Sequence, residues 1–410
     1  MISKLIHELS FIRGNLLVLI ISWIFFNFGF SMAYPFESPY MRGLGASPFI
    51  IGLLGGIGYF VLILVRIPGS YIADRYGRKQ IIVIMTFGVA ISYIFYAIAP
   101  DWRYILIGII LANFCLIYQP ALEAITADSI PADKRGVGFA IARVIPSIPT
   151  VVAPMISGYI VSQYGLILGM RIVYLMLVIL SLSAAITRLL FLKETIEQPE
   201  TIKLGELKGV YKEAITSIIG AWKTIPKTLK ILTIIIIISA FEDPIFMQFS
   251  ALYVFDVVKV SEFEWGIVMT IFTIISLLIG IPLGKIIDVI GRKKSIILAY
   301  VIFIPSTILF IISRGFLLLS LVFAAFAVGS VLIGPAFNAL TTDLTPKDKR
   351  GRIMGIIGTL NIMAMIPASV IGGFLYQLDP SLPFIFTLVI SILSLVIMSL
   401  FIKEPEVREG

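Results

Sequence analysis

Cysteine and histidine are nearly missing from this chain, with one of each, Cys115 and His7, among 410 residues. A single cysteine excludes an internal disulfide and any cysteine-based metal site. The lone histidine lies outside every apolar run, so neither a His-Glu-x-x-His zinc site nor a histidine-activated nucleophile within the apolar spans has its parts. No metal or other cofactor is expected. No Walker A sequence is present, so ATP is not the expected energy source. Charge is scarce too: 14% of residues are charged and 59% are hydrophobic, against about 25% and 45–50% in soluble domains. That much apolar surface cannot be hidden inside a soluble protein of this size, and lipid is the implied solvent. The first apolar run is too long for a signal-peptide core and lacks a small-residue cleavage site, so no removable leader is expected.

What the chain has instead is a series of long apolar runs. A bilayer crossing needs roughly 20 such residues, and twelve spans are predicted: 14–41, 48–73, 80–100, 104–127, 137–163, 170–192, 231–255, 263–287, 295–313, 316–340, 353–376 and 383–402. Runs such as Ile234 to Ile238 do not alternate as barrel strands would. The net charge of +8 is distributed between these runs. With the N-terminus inside, cytoplasmic segments hold 24 Lys and Arg and outer loops hold 5: Arg42, Arg103, Arg171, Lys259 and Arg314. The positive-inside rule then puts both termini in the cytoplasm of a multi-pass plasma (inner) membrane protein, and explains the basic balance without a nucleic-acid partner. Arg66, Arg143 and Arg188 fall within spans.

The one long polar stretch, 193–230, divides the chain into 1–192 and 231–410. Within it, Val210, Ile215, Ile218, Ile219 and Trp222 suggest an amphipathic helix over 207–222, lying on the inner membrane surface. The two parts are copies. Shifted by 215 residues, Pro120–Gly136 falls on Pro335–Gly351 with Asp128 on Asp343; shifted by 214, Pro68, Asp74, Gly77, Arg78 and Lys79 fall on Pro282, Asp288, Gly291, Arg292 and Lys293. The span ends echo as Phe191-Leu-Lys-Glu194 and Phe401-Ile-Lys-Glu404. The expected fold is therefore all-α, with twelve transmembrane helices in two six-helix pseudo-repeats. An even number of crossings per repeat makes the repeats parallel, with a site between them near the midplane.

Asp74-Arg-Tyr-Gly77-Arg78-Lys79 and Gly284-Lys-Ile-Ile-Asp288-Val-Ile-Gly291-Arg292-Lys293 resemble the paired loop signatures of the major facilitator superfamily, and the resemblance covers the whole chain. Departures are Ser70 at the first glycine position, Val289 at a usually basic one, no helix-4 arginine, and a softened antiporter segment, Ala153-Pro154-Met-Ile-Ser157-Gly158. The superfamily is implied; the drug/proton-antiporter branch is suggested by that segment alone. The resemblance implies that Asp74, Arg78 and Asp128, with their copies Asp288, Arg292 and Asp343, latch the inner side of the transporter.

An ionisable group in mid-membrane is a functional candidate by default. Glu242 and Asp243 fall at the middle of the seventh span, just before Pro244, which breaks helical geometry there. Successive helical residues diverge by about 100°, so one acid is expected to face the cavity, with Asp243 first. Arg66 lies roughly 8 Å, and Glu123 and Arg143 roughly 11 Å, inward of their span midpoints. They either form a buried ion cluster or snorkel to the headgroups. Glu37 lies roughly 14 Å outward of its midpoint and is expected at the interface, with a place in an outer gate as the alternative. Asn27, Gln119, Gln248 and Asn338 fall on spans that line the family's cavity, and with Arg66 and Arg143 they are the expected cavity-lining residues. Glycine pairs at 52/56, 280/284 and 351/355 are expected at close helix contacts.

The expected protein is a secondary transporter of a small solute, a functional monomer in the bilayer, coupled to protons through Asp243, Glu242 or Glu123. Export is favoured over uptake of a small organic solute. A membrane-embedded enzyme and a non-transporting sensor are the rival classes; the first lacks a zinc motif and an intramembrane histidine base, the second a large appended domain.

Overall fold

The computed structural model describes residues 11–75, 77–196, 225–347 and 350–404, with 209, 211, 216 and 220 as isolated positions between them. Helix dominates. In chain order the helices are α1 (Asn15–Gly43, tightened to a 3-10 turn at Tyr34–Phe36), α2 (Pro48–Arg75), α3 (Arg78–Ala97), α4 (Trp102–Asp128, with a 3-10 turn at Leu116–Tyr118), α5 (Ala132–Tyr164), α6 (Leu166–Phe191), α7 (Lys227–Ser239), α8 (Glu242–Tyr253), α9 (Glu262–Ile290), α10 (Arg292–Ile312), α11 (Phe316–Asp343), α12 (Arg350–Leu378) and α13 (Leu382–Phe401). Among the described residues, 11 helices are long and apolar enough to cross a membrane. The chain is an all-α, multi-span membrane protein.

The predicted span 231–255 is built as two short helices, α7 and α8, of 13 and 12 residues. Pro244 supplies the reason. It has no N–H and would crowd the carbonyl one turn back, at Ala240. The chain tightens there, with the Phe241 N–H donating to Ile238 at 3.2 Å, and α8 restarts at Glu242. In the first turn of the new helix the missing N–H costs nothing. Elsewhere helices overrun the apolar runs by a few residues at one or both ends, as at Glu262–Ile290 and Arg350–Leu378. Hydropathy marks lipid thickness, whereas helix ends follow caps such as the Ser261/Glu264 capping box. The amphipathic segment expected over 207–222 lies outside the described residues, isolated positions apart.

The chain forms two compact units, Met1–Glu37 with Val61–Glu213, and Ser38–Phe60 with Ala214–Gly410. In the first, Tyr96 packs against Tyr93 and Tyr174 with ring centroids 5.7 and 4.8 Å apart. In the second, Phe246, Phe310, Phe323, Phe326 and Phe384 interlock, mostly edge to face, with centroids 4.7 Å (Phe246–Phe326) and 4.9 Å (Phe310–Phe384) apart, geometry that suits the ring quadrupoles. Several buried hydroxyls are satisfied inside their own helices, as in Thr86 to the Ile82 carbonyl (2.6 Å) and Thr233 to Leu229 (2.8 Å).

Residues 38–60 belong to the second unit because α2 meets α12 backbone to backbone. A methyl at Gly52 would sit 2.4 Å from the Ser369 carbonyl, and one at Gly373 would sit 2.6 Å from the Pro48 carbonyl. Close packing therefore explains Gly52 and Gly56. It does not explain Gly280, Gly284, Gly351 and Gly355, where an added methyl meets nothing within 4 Å among the described residues. Four-residue spacing puts small residues on one helix face, but whether another helix covers that face is a tertiary matter.

Candidate functional site

A cavity of about 680 Å³ opens inside the first unit. Four helices supply its polar lining: Asn27 from α1, Gln119 and Glu123 from α4, Arg143 from α5 and Arg188 from α6. Trp23, Phe26, Tyr118 and Phe139 supply aromatic surface. Four of the expected residues, Asn27, Gln119, Glu123 and Arg143, thus share one wall system; Arg66 is not part of it. The buried ion cluster is not formed. Glu123, Arg66 and Arg143 are all exposed, and no ion pair joins Glu123 to either arginine among the described residues.

Arg188 is the residue that sequence reasoning passed over. It is 2% exposed. Its Nε donates to Ser22 Oγ at 3.0 Å and its Nη1 to Thr86 Oγ1 at 2.8 Å, and the guanidinium lies 5.7 Å from the Tyr118 ring centroid. No carboxylate pairs with it among the described residues. A signal existed. In the register that aligns Phe191-Leu-Lys-Glu194 with Phe401-Ile-Lys-Glu404, Arg188 falls on Met398, which is fully buried. A charge that breaks a repeat at a buried position is not needed for packing.

In the second unit, Glu242 and Asp243 occupy the first turn of α8, the positive end of its dipole. Their surroundings differ. Glu242 is half-buried and hydrogen-bonds the Ser391 hydroxyl, while its Oε1 is buried with no partner; Asp243 is exposed. Gln248 is a packing tie: Ser369 Oγ lies 2.7 Å from its Oε1 and 2.7 Å from the Gly52 carbonyl, with one hydroxyl proton to share between them. Asn338 is exposed on α11.

The two signature loops hold paired charges. Arg78 pairs with Asp128 and donates to Thr195 Oγ1 at 3.1 Å; the Asp74 side chain lies outside the described residues. Arg292 Nε lies 3.1 Å from Asp343 Oδ2, too poorly aligned for a hydrogen bond, and its Nη2 lies 3.4 Å from Asp288. Both arginines open a helix and both partner aspartates close one. Each charge is at the end that the helix dipole disfavours, so each pair compensates a misplacement rather than adding to two good positions.

The carboxylates that do suit those helix starts are Glu194 and Glu404, the ends of the echoed segments. Glu194 accepts from the Lys79 N–H at 2.9 Å; Glu404 accepts from Arg292 and Lys293 N–H at 2.7 and 2.9 Å. Glu194 lies outside the spans. Burial pushes its carboxyl up, but N–H donation from Ile196, Lys79, Thr195 and Arg78 outweighs this and holds it below its ordinary value. A depressed folded-state value gives stability that is present above the unfolded-state pKa, about 4.3 for Glu, and is lost as pH falls through the folded value. Thermal stability of the wild type should therefore fall more steeply from about pH 6 to about pH 3.5 than that of Glu194→Gln. Parallel melting curves of the two across that range would remove the charged cap.

Two further acids have partners. Glu37 is half-buried and hydrogen-bonded to Tyr96 inside the first unit; the Pro35 turn re-aims the end of α1. In the second unit Arg42 pairs with Asp256, which also accepts from Tyr376 Oη at 2.7 Å.

These features define a multi-span helical carrier with charged loop clusters. Residues 19–261 and 232–410 match the model of the Major Facilitator Superfamily. The chain belongs to that superfamily, and its activity is secondary-active transport of small solutes. It is 24% identical over 381 residues to an uncharacterized MFS-type transporter of Methanocaldococcus jannaschii, covering 88% of each chain. It is 26% identical over 378 residues to Multidrug resistance protein 2 of Bacillus subtilis, covering 91% of this chain and 92% of that one. Among solved structures, the nucleoside transporter NupG superposes with a TM-score of 0.70 at 18% identity, over 94% of this chain and 98% of that one, a likeness of fold.

Proposed function

We propose that this protein is a proton-coupled exporter of a small organic solute. Two six-helix halves, 1–192 and 231–410, joined by the segment 193–230, rock around a central site in the plasma membrane, with α7 and α8 together serving as one of twelve spans. The observation that carries the coupling reading is the interrupted helix: α8 restarts with two carboxylates, one exposed and one tied to Ser391. A kink needs no charge, and acids at a break in a spanning helix are suited to carry a coupling ion. Asp243 is the proton carrier, Glu242 its neighbour and fallback, and Glu123 the candidate in the first unit. Arg78 with Asp74 and Asp128, and Arg292 with Asp288 and Asp343, form the inner latch. Export is supported by the Ala153-Pro154 to Gly158 segment and by the multidrug-resistance relatives. The working unit is a monomer.

Solute efflux and uptake in proteoliposomes under an imposed pH gradient, screened over a broad solute panel, test this reading. Gradient-driven accumulation of at least one solute is expected; solute movement indifferent to the gradient would sink proton coupling. The 24 to 5 distribution of basic residues puts both termini inside. A reporter fused after Gly410 should be active only on the cytoplasmic side, and activity only outside would overturn the topology.

A further inference from the structure

We propose that the cavity of the first unit is an organic-anion site, taking a small aromatic monocarboxylate with Arg188 as its fixed counter-charge and Arg143 as its second. This rests on the transport reading above and names its substrate class. The electrostatic balance is the starting point. Arg143, Arg188 and Glu123 line one cavity, so two guanidinium groups face a single carboxylate and one positive charge is left over. Glu123 and Arg143 are exposed. Arg188 is not. It is almost fully buried and, among the described residues, held by two neutral hydroxyls and the face of Tyr118. Hydroxyls and a ring soften the desolvation of a guanidinium but do not neutralise it, and a guanidinium that lines a cavity is suited to a carboxylate.

A purely structural Arg188 would tie α1, α3 and α4 to α6. That role needs no charge, since Met398 fills the repeated position without one. The rest of the cavity describes the remainder of the ligand. Trp23 and Phe26 offer aromatic surface for an apolar body, and the volume of about 680 Å³ lies within the range of small-molecule sites.

The test is calorimetric binding to the purified full-length protein in a neutral detergent, with three probes that share one ring system: 2-naphthylacetate, 2-naphthylacetamide and 2-naphthylmethyl-trimethylammonium. No gradient is present, so the result is independent of coupling. The acid should bind at least about tenfold more tightly than the amide, and the ammonium most weakly. Arg188→Gln should bring the acid down to the amide's affinity and leave the amide unchanged, an outcome that loss of a structural tie would not give. Arg188→Lys should keep part of the preference. Arg143 is exposed and its replacement is not expected to disturb folding, so Arg143→Gln should narrow the preference severalfold even if the Arg188 variants fail to fold. Equal binding of acid and amide, preference for the ammonium, no binding of any probe, or a preference untouched by Arg143→Gln would each overturn the proposal. If the proteoliposome screen still finds gradient-driven transport of another solute, only the anion assignment falls.

Discussion

Asp243→Asn is expected to abolish accumulation driven by a pH gradient while leaving substrate binding and exchange in place. The variant mimics the protonated acid permanently, so the carrier can alternate with substrate but cannot be charged and discharged of a proton on opposite sides. One pH unit is worth about 1.4 kcal/mol per proton, so a one-proton exchanger at that gradient holds a solute ratio of about tenfold. In the variant the ratio should collapse to about one. Glu242→Gln should be milder, because the hydrogen bond from Ser391 engages that acid and the other acid is the exposed one. If both single variants and the double variant still concentrate substrate with normal pH dependence, α8 is not the coupling site. Glu123→Gln, in the cavity of the first unit, is then the next substitution to make.

Arg78→Ala, Asp128→Asn and Asp74→Asn are expected to cost most of the transport rate with little loss of folded protein. The Arg78–Asp128 pair sits at two helix ends whose dipoles disfavour those charges, so breaking it removes compensation at a surface that must open and close, not core packing. A latch biases the equilibrium between packed states, and a bias of about 1.4 kcal/mol changes their ratio about tenfold. A cysteine placed at Ser147, which lines the cavity, should react faster with an impermeant reagent from the inner side in these variants, against a background kept low by the buried native Cys115. Restoration of transport by Arg78→Asp combined with Asp128→Arg would confirm that the pair acts through charge. Unchanged labelling in both Asp74→Asn and Arg78→Ala would leave the latch without support.

The acid pair and the loop charges were legible because membrane burial is unforgiving. A carboxylate such as Glu242 in an apolar run has no cheap explanation, and the doubled Asp/Gly/Arg spacing survives any uncertainty in span boundaries. Arg188 was seen in its span but given no role, because its meaning depends on what lies beside it. Glu194 and Glu404 were seen as an echo, but capping the start of a helix more than a hundred residues away in sequence is a contact no local pattern encodes.

Sequence by itself determined the solvent, the helical class, the superfamily and the break before α8, because each follows from local composition, a repeat or a single proline. Only the tertiary structure decided which polar groups share a cavity, that Glu123 and Arg143 stay unpaired, that Gln248 is a packing tie, and that Gly52 is in contact where Gly280 and Gly284 meet nothing. Those outcomes depend on how helices distant in sequence approach one another. A side chain's chemistry states what it needs, and only the approach of its neighbours states whether that need is met by protein, by water or by a ligand still to come.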